Sequence, residues 1–332
     1  MKHSKLIILV VSSMTVLILC ILASLAFGAR YVDFPDIIDI LLNGKKTSLI
    51  DIVVHERIPR TVFGIIAGAA LGVSGALMQA ITRNPIADPG ILGVNTGASL
   101  FVVSGMALFH IGSLNQYIWL SLIGATATSL FVYVIGSLGY GGATPIKLAL
   151  AGAATSAALS SVVSAIILPR TEVMNAFRFW QVGSISGATW EGIYTVLPFL
   201  ITGLIIGVLV SPALDALALG DDVATGLGIR TGTVRLLGAL SGILLCGATT
   251  ALAGPIGFIG LMVPHMMRMF CGPNLRLIIP MSAVGGAILL TISDVLGRLL
   301  SSPGELESGI VTSFLGAPIL IIIAMRAKVR TL

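Results

Sequence analysis

Leu6 to Phe27 reads LIILVVSSMTVLILCILASLAF, 22 consecutive residues without a charge. A helix needs about 20 apolar residues, at roughly 1.5 Å each, to cross the hydrocarbon core of a bilayer. Only a helix satisfies its own backbone donors and acceptors in that medium. The stretch follows Lys2 and Lys5 and is longer than the roughly 7–15-residue core of a signal peptide. More apolar stretches come after it, so it is read as a retained first crossing. Working outward, candidate spans fall at residues 6–27, 61–81, 91–109, 116–138, 146–168, 191–211, 234–253, 255–271, 277–298 and 308–326. The third and eighth carry Gly and Pro at their starts, which predicts tilted, partial or broken helices. The fold class expected is all-α: a polytopic membrane protein of about ten transmembrane helices in one domain, 1–332.

Composition agrees. Hydrophobic residues make up 56% of the 332 and charged residues 10%, with a mean hydropathy of +1.05. A soluble domain carries about a quarter charged residues, so most of this surface faces lipid. The net charge of +5 comes with no basic stripe interleaved with aromatics, which excludes nucleic acid as a partner. Cys20, Cys246 and Cys271 have no metal-type spacing and read as small core residues. Leu19 is too bulky for a lipoprotein cleavage site before Cys20.

Two segments interrupt the apolar pattern. Residues 33–56 hold Asp33, Asp36, Asp39, Lys45, Lys46 and Asp51, and are expected to lie at the membrane interface. Residues 212–233 belong to the polar stretch SPALDALALGDDVATGLGIRTGTVR, Ser211 to Arg235. Leu214, Leu217, Leu219, Val223 and Leu227 give it an amphipathic pattern, and Gly220 and Gly228 predict two short helices separated by a break. Asp221 and Asp222 disfavour contact with anionic lipid, so docking of a soluble partner is the expected use.

With ten spans and an inner N-terminus, Lys and Arg divide into 11 inside and 8 outside, the right sign for the positive-inside rule. Asp294 and Arg298 lie one helical turn apart and are expected to pair. The functional alternative has Arg298 meeting an acidic partner. Arg57 and Arg60 flank Ile58-Pro59 at the mouth of the second span, where snorkelling to headgroups is their plainest role. His265 and Arg268 read as an anchor for the eighth span. The fifth span is rich in small residues, from Ala149 to Ala165, which permits close helix packing or an aqueous face. A 15-residue glycine spacing recurs, Gly75 to Gly90 and Gly242 to Gly257, as in transporters built from inverted repeats. No phosphate-binding loop occurs, Gly44-Lys45-Lys46-Thr47 being a superficial likeness, and His55-Glu56 lacks a second histidine. No nucleophile with a base is found, so the chain is not expected to be an enzyme.

Several stretches together resemble the FecCD-type permeases of iron-siderophore, haem and cobalamin ABC importers. They are Arg57-Ile58-Pro59-Arg60; GAALGVSGALMQAITRNPIADPGILGVNTGA from Gly68 to Ala98; LALGDDVATGLG from Leu217 to Gly228; AGPIGFIGLMVPHMMR from Ala253 to Arg268; and LGAPILI from Leu315 to Ile321. The resemblance covers residue 55 to the end and keeps the family order. It implies a type II ABC importer permease, like the cobalamin importer's, in a bacterial cytoplasmic (inner) membrane with both termini cytoplasmic. The implied partners are a second permease as homo- or heterodimer, two ATPase subunits and a substrate-binding lipoprotein. No cofactor would be bound by this chain; ATP and Mg would act in the partner ATPase. Arg57, Arg60 and Arg298 would receive acidic residues of the binding protein. Leu214, Leu217, Gly220, Asp222, Ala224, Leu227 and Gly228 would form the ATPase-docking loop. The implied path follows the permease dimer interface, which suits Ala151, Ser156, Ser160 and Ser164 on the fifth span. At the family's gate region the chain reads Gly142-Ala143-Thr144-Pro145-Ile146 and matches poorly, so no gate residue is assigned. The expected cargo is an iron chelate, foremost a ferric siderophore, moved by alternating access; haem or cobalamin is the family alternative. An ion-coupled secondary transporter would need acidic or histidine relays in mid-span, and these are nearly absent.

Overall fold

A computed structural model describes residues 3–28, 30–43, 49–139 and 143–326. Lys2, Lys328 and Arg330 of the charge count, Gly44 to Thr47 and Gly142 lie outside these residues. The described chain folds into helices α1 (His3–Ala26), α2 (Phe34–Asn43), α3 (Leu49–Thr82), α4 (Val94–Phe109), α5 (Leu114–Ser137), α6 (Pro145–Ile167) and α7 (Thr171–Val182). These are followed by α8 (Trp190–Leu217), α9 (Asp221–Gly226), α10 (Thr231–Ala253), α11 (Ile259–Cys271), α12 (Leu275–Leu300) and α13 (Ser308–Arg326). A 3-10 turn, Pro89–Leu92, precedes α4.

Seven of these helices (α1, α3, α5, α6, α8, α10 and α12) are long and apolar enough to cross a membrane, and α4, α11 and α13 are shorter apolar helices. Together they match the ten expected spans. The irregular third and eighth spans have a structural cause. The third opens on the 3-10 turn, where Asp88 accepts a hydrogen bond from Gly90 N at 2.5 Å and Gly93 turns with φ +73° into α4. In the eighth, α11 has 13 residues, about 20 Å, and begins only after the non-helical segment 254–258.

The centre of the bundle is α3, seated backbone to backbone on α12 and α11. A methyl group on Gly68 would overlap the carbonyl of Gly286, one on Gly72 the carbonyl of Ser282, and one on Gly75 the carbonyl of Gly260. Lipid tails are as apolar as leucine, so helices in a membrane associate through such close packing rather than by leaving water. On its other side α3 meets α10. Ser74 Oγ donates to Gly242 O at 2.7 Å, and Met78 fills the space that Gly242 leaves. Two of the four glycines in the 15-residue echo therefore lie on the seams of α3. Phe63, Leu77, Met78 and Ile81 of α3 are fully buried in the main core with Leu214, Leu217, Ile278 and Leu290. The three cysteines are buried and unbridged, as expected of core residues.

Four details differ from the sequence reading. The second span starts twelve residues earlier, because α3 runs unbroken through Pro59 from Leu49. The expected interfacial segment thus shrinks to α2, which buries Ile37 and Ile40 against Leu25, Ala26 and Val54. The sixth span continues through Pro212 to Leu217, so the first of the two expected loop helices is the end of α8. Finally, α7 is an additional amphipathic helix, which buries Phe177 and stacks it on Trp180 with ring centroids 5.9 Å apart.

Substituting Gly75→Ala is expected to cost more than about 1–3 kcal/mol, because the obstacle is backbone that has no rotamer to move. Gly232→Ala, where nothing lies within 4 Å, is expected to be neutral or to stabilise by about 0.5–1 kcal/mol. Thermal melts of the two purified variants check this, and equal melting would contradict the α3 seat.

Candidate functional site: two polar clusters joined by one helix

Arg57, Arg60 and Arg298, which the sequence singled out, converge at one end of α3. They do not reach into solvent as snorkelling cations: all three are buried, Arg298 to 2% exposure. Helix α1 ends with carbonyls that have no intrahelical partner, as every helix does. Arg57 Nη1 donates to Leu25 O at 2.8 Å and Ala26 O at 3.1 Å, and its Nη2 donates to Arg30 O at 2.6 Å. Arg298 Nη1 donates to Ser24 O at 3.0 Å and Phe27 O at 2.9 Å, and its Nη2 donates to Ser24 Oγ at 3.0 Å. Two of the three arginines therefore cap α1. The expected Asp294–Arg298 pair is present at 3.0 Å, and Asp294 also takes the Nε and Nη2 of Arg60 at 2.8–3.1 Å. Arg60 Nη1 meets Glu305 at 2.8 Å. A cavity of about 280 Å³ opens over the cluster, lined by Arg30, Val53, Glu56, Arg57, Arg60, Ser186, Arg298 and Glu305.

Arg83 follows the other end of α3, about 33 Å along the axis from Arg60 at 1.5 Å per residue. It donates to Leu217 O at 2.5 Å and pairs with Asp221. Arg235 holds both oxygens of Asp221 at 2.9 Å. Burial alone would push the Asp221 carboxyl up, but Arg235 and Arg83 outweigh it and hold the group below the ordinary carboxylate range. Asp215 accepts from Leu275 N at 2.8 Å and ties the end of α8 to the start of α12. The loop is thus fastened to α3, α10 and α12. Gly220 at φ +120° and Gly228 at φ +80° turn the chain on either side of α9, conformations that L side chains rarely adopt.

Within this loop the sequence-derived residues divide. Leu214, Leu217 and Ala224 are fully buried anchors. Leu227 is 63% exposed, and it is joined by Leu219 at 68% and Val223 at 48%, three apolar residues spaced by four. Asp222 is exposed, while its neighbour Asp221 makes the ion pairs. Of the residues expected on the path, Ala151 and Ser156 are half-buried and Ser160 and Ser164 are exposed. Ser156 accepts from Thr96 Oγ1 at 3.1 Å, and Gly152 lets α6 rest on the carbonyl of Ile91.

Arg83, Asp215, Arg235 and Glu305 were not singled out by the sequence, and Asp221 was read only as an acidic group disfavouring anionic lipid. Each acts with a partner far away in the chain, and only the i,i+4 pair of Asp294 and Arg298 leaves a signature in linear spacing. Leu219 and Val223 did show in the amphipathic pattern. What the pattern lacks is which apolar residues face the bundle and which face out.

A helical bundle with a fastened loop presenting an apolar ridge at one end and an arginine-lined cavity at the other is the architecture of a polytopic membrane subunit. The chain belongs to the FecCD transport family, whose profile matches residues 16–326. It is 42% identical over 311 residues to the ferric enterobactin transport system permease protein FepD of Escherichia coli K12, covering 93% of this chain and 92% of that one. It is 41% identical over 307 residues to the Fe(3+)-citrate import system permease protein YfmD of Bacillus subtilis 168, covering 92% and 90%. A solved structure, described as an inward-facing conformation of a metal-chelate type ABC transporter, superposes with a TM-score of 0.83 at 26% identity, covering 96% of this chain and 99% of that one.

Replacing Asp221→Asn is expected to raise amide hydrogen exchange across residues 218–230, while Asp222→Asn leaves it unchanged. Because the folded-state pKa of Asp221 is depressed, its contribution is present above the ordinary carboxylate pKa and is lost only as pH falls through the lowered value. Exchange in the wild-type loop should therefore be flat, after correction for intrinsic rate, from pH 8 to pH 5. Loosening within that window would contradict the clamp.

Proposed function

We propose that this chain carries a ferric chelate, foremost a ferric siderophore, across the bacterial cytoplasmic membrane. A FecCD permease is a transport subunit of an ABC import system and not itself an enzyme. The observation that supports the partner arrangement is a pair of distinct surfaces at the two ends of α3: the exposed Leu219–Val223–Leu227 ridge beyond one end and the arginine-lined cavity at the other. In this reading the ridge faces the cytoplasm and seats one of two ATPase subunits, where ATP and Mg act. The cavity faces outward and receives a substrate-binding protein. A second permease copy or paralogue completes the pore, with Ser160 and Ser164 on the exposed face of α6 toward the path. Both chain ends lie in the cytoplasm.

Alternating access then follows from linkage: a partner moves the permease only if it binds its two states with different affinity. Closure of the ATPase pair pulls on α9, and the Asp221 clamp passes the displacement to α3 and α10. The named relatives, one a ferric enterobactin permease and one an Fe(3+)-citrate permease, support an Fe(3+) chelate as cargo. The buried acid Asp294 is held between two arginines, which fits an ion-pair brace better than a proton or ion relay.

Uptake of ⁵⁵Fe-labelled enterobactin and ferric citrate by a deletion strain complemented with this chain and its system tests the cargo; failure with both chelates would overturn it. Val223→Asp with Leu227→Asp places charge on the ridge and is expected to lower uptake at least about 10-fold and to release the ATPase on purification, with permease abundance in the membrane unchanged. Intact assembly and full uptake would overturn the docking reading.

A further inference from the structure

The three arginines of the outer cluster are not equivalent, and their bonds say which one a partner can use. Arg57 spends its guanidinium on three backbone carbonyls, Leu25, Ala26 and Arg30. Arg298 spends its Nη1 and Nη2 on Ser24, Phe27 and Asp294. Drawing either away would uncap α1 and leave carbonyls unpaired at its end. Arg60 differs. Its Nε and Nη2 edge is locked on Asp294, but Nη1 meets Glu305, whose side chain is 39% exposed.

The anchorage of Glu305 is what makes that contact exchangeable. The backbone of its loop is pinned to α12 by Leu306 N donating to Gly297 O at 3.1 Å, close packing that the absence of a side chain at Gly297 permits. The carboxylate can therefore swing out without unfolding anything. It borders a cavity of about 280 Å³, roughly the volume of nine liquid waters at about 30 Å³ each and enough for an acidic side chain. Four arginines, Arg30 among them and exposed, line that cavity with Glu56 and Glu305, and Asp294 beneath pairs with Arg60 and Arg298, so four cations face three carboxylates. The excess positive charge favours an incoming carboxylate.

From this we infer that the cavity is the receptor for one acidic side chain of the binding protein, and that this carboxylate replaces Glu305 on Arg60 Nη1. Glu305 is the intramolecular stand-in that keeps Arg60 paired while the partner is absent; Arg57 and Arg298 stay on α1 throughout. The inference rests on the outer-face docking reading above and narrows it from three arginines to one exchangeable contact.

The test is binding of the system's own purified, fluorescently labelled substrate-binding protein to the assembled transporter in nanodiscs, titrated at 50 and 500 mM NaCl. Glu305→Gln and Glu305→Ala remove the competitor from a half-exposed site and are expected to tighten binding about 3–10-fold at low salt, with the gain shrinking at high salt. Arg60→Gln, which leaves Asp294 paired with Arg298, is expected to weaken binding at least about 10-fold. Arg57→Gln is expected to lower the Tm without changing the salt dependence of binding. If Arg60→Gln weakens binding while both Glu305 variants bind as the parent or more weakly, the exchange is wrong and outer-face docking stands. If Arg60→Gln together with Arg30→Gln changes nothing at either salt concentration, the docking reading falls and the exchange with it. A salt-dependent loss at unchanged Tm in Arg57→Gln would overturn the division of labour among the arginines.

Discussion

The architecture depends on how closely α3 approaches its neighbours. Gly68, Gly72 and Gly75 remove the side chains that would hold α12 and α11 away, and Gly242 does the same for α10 around Met78. In a medium without a hydrophobic driving force between helices, contact between backbones and the dispersion it allows hold the bundle together. A helix seated this way has little freedom to bend. Whatever is fastened at one of its ends is therefore mechanically connected to the other.

What is fastened there is charge, and the two ends treat it differently. At the arginine end Arg57, Arg60, Arg298 and Asp294 are buried, and each is ion-paired or hydrogen-bonded. Asp294 lies between Arg60 and Arg298, and Arg57 and Arg298 satisfy carbonyls at the end of α1. Removing one member of such a set costs about 3–5 kcal/mol, because a buried charge is left uncompensated. These side chains therefore brace α1, α3 and α12 against one another before any partner arrives. At the loop end the Asp221 ion pairs are half-exposed and worth less individually. They matter for direction, since they fix α9 to α3 and α10 while leaving Leu219, Val223 and Leu227 facing out.

This division fits a subunit that receives work from another protein. A site that performs chemistry needs perturbed acids, bases or nucleophiles gathered in a cleft. Here the ionisable groups of the two clusters pair with one another and with helix ends rather than gathering round a reacting group. The short α11 and the 3-10 turn before α4 bring non-helical backbone into the bundle, against α3 and α6. Such backbone is tolerated in a membrane protein only where protein or a cavity covers it, and Gly152 of α6 provides close cover over the carbonyl of Ile91.

The sequence by itself determined the medium and the family, and with the family resemblance a count of about ten crossings. Runs such as Leu6–Phe27 have one outcome in a bilayer, and the irregular third and eighth spans announced themselves through Gly and Pro. It also determined the Asp294–Arg298 pair, since one helical turn is a local distance. Only the tertiary structure decided the rest. It extended α3 back through Pro59 and α8 on through Pro212, because burial and neighbouring helices offset what proline costs a helix locally. It made Asp221 the loop's clamp, since the partners Arg83 and Arg235 lie far off in sequence. And it turned three apparently outward arginines into two caps on α1 and one contact on Glu305: the free carbonyls at the end of a helix become visible to an arginine only when the chain has brought them together.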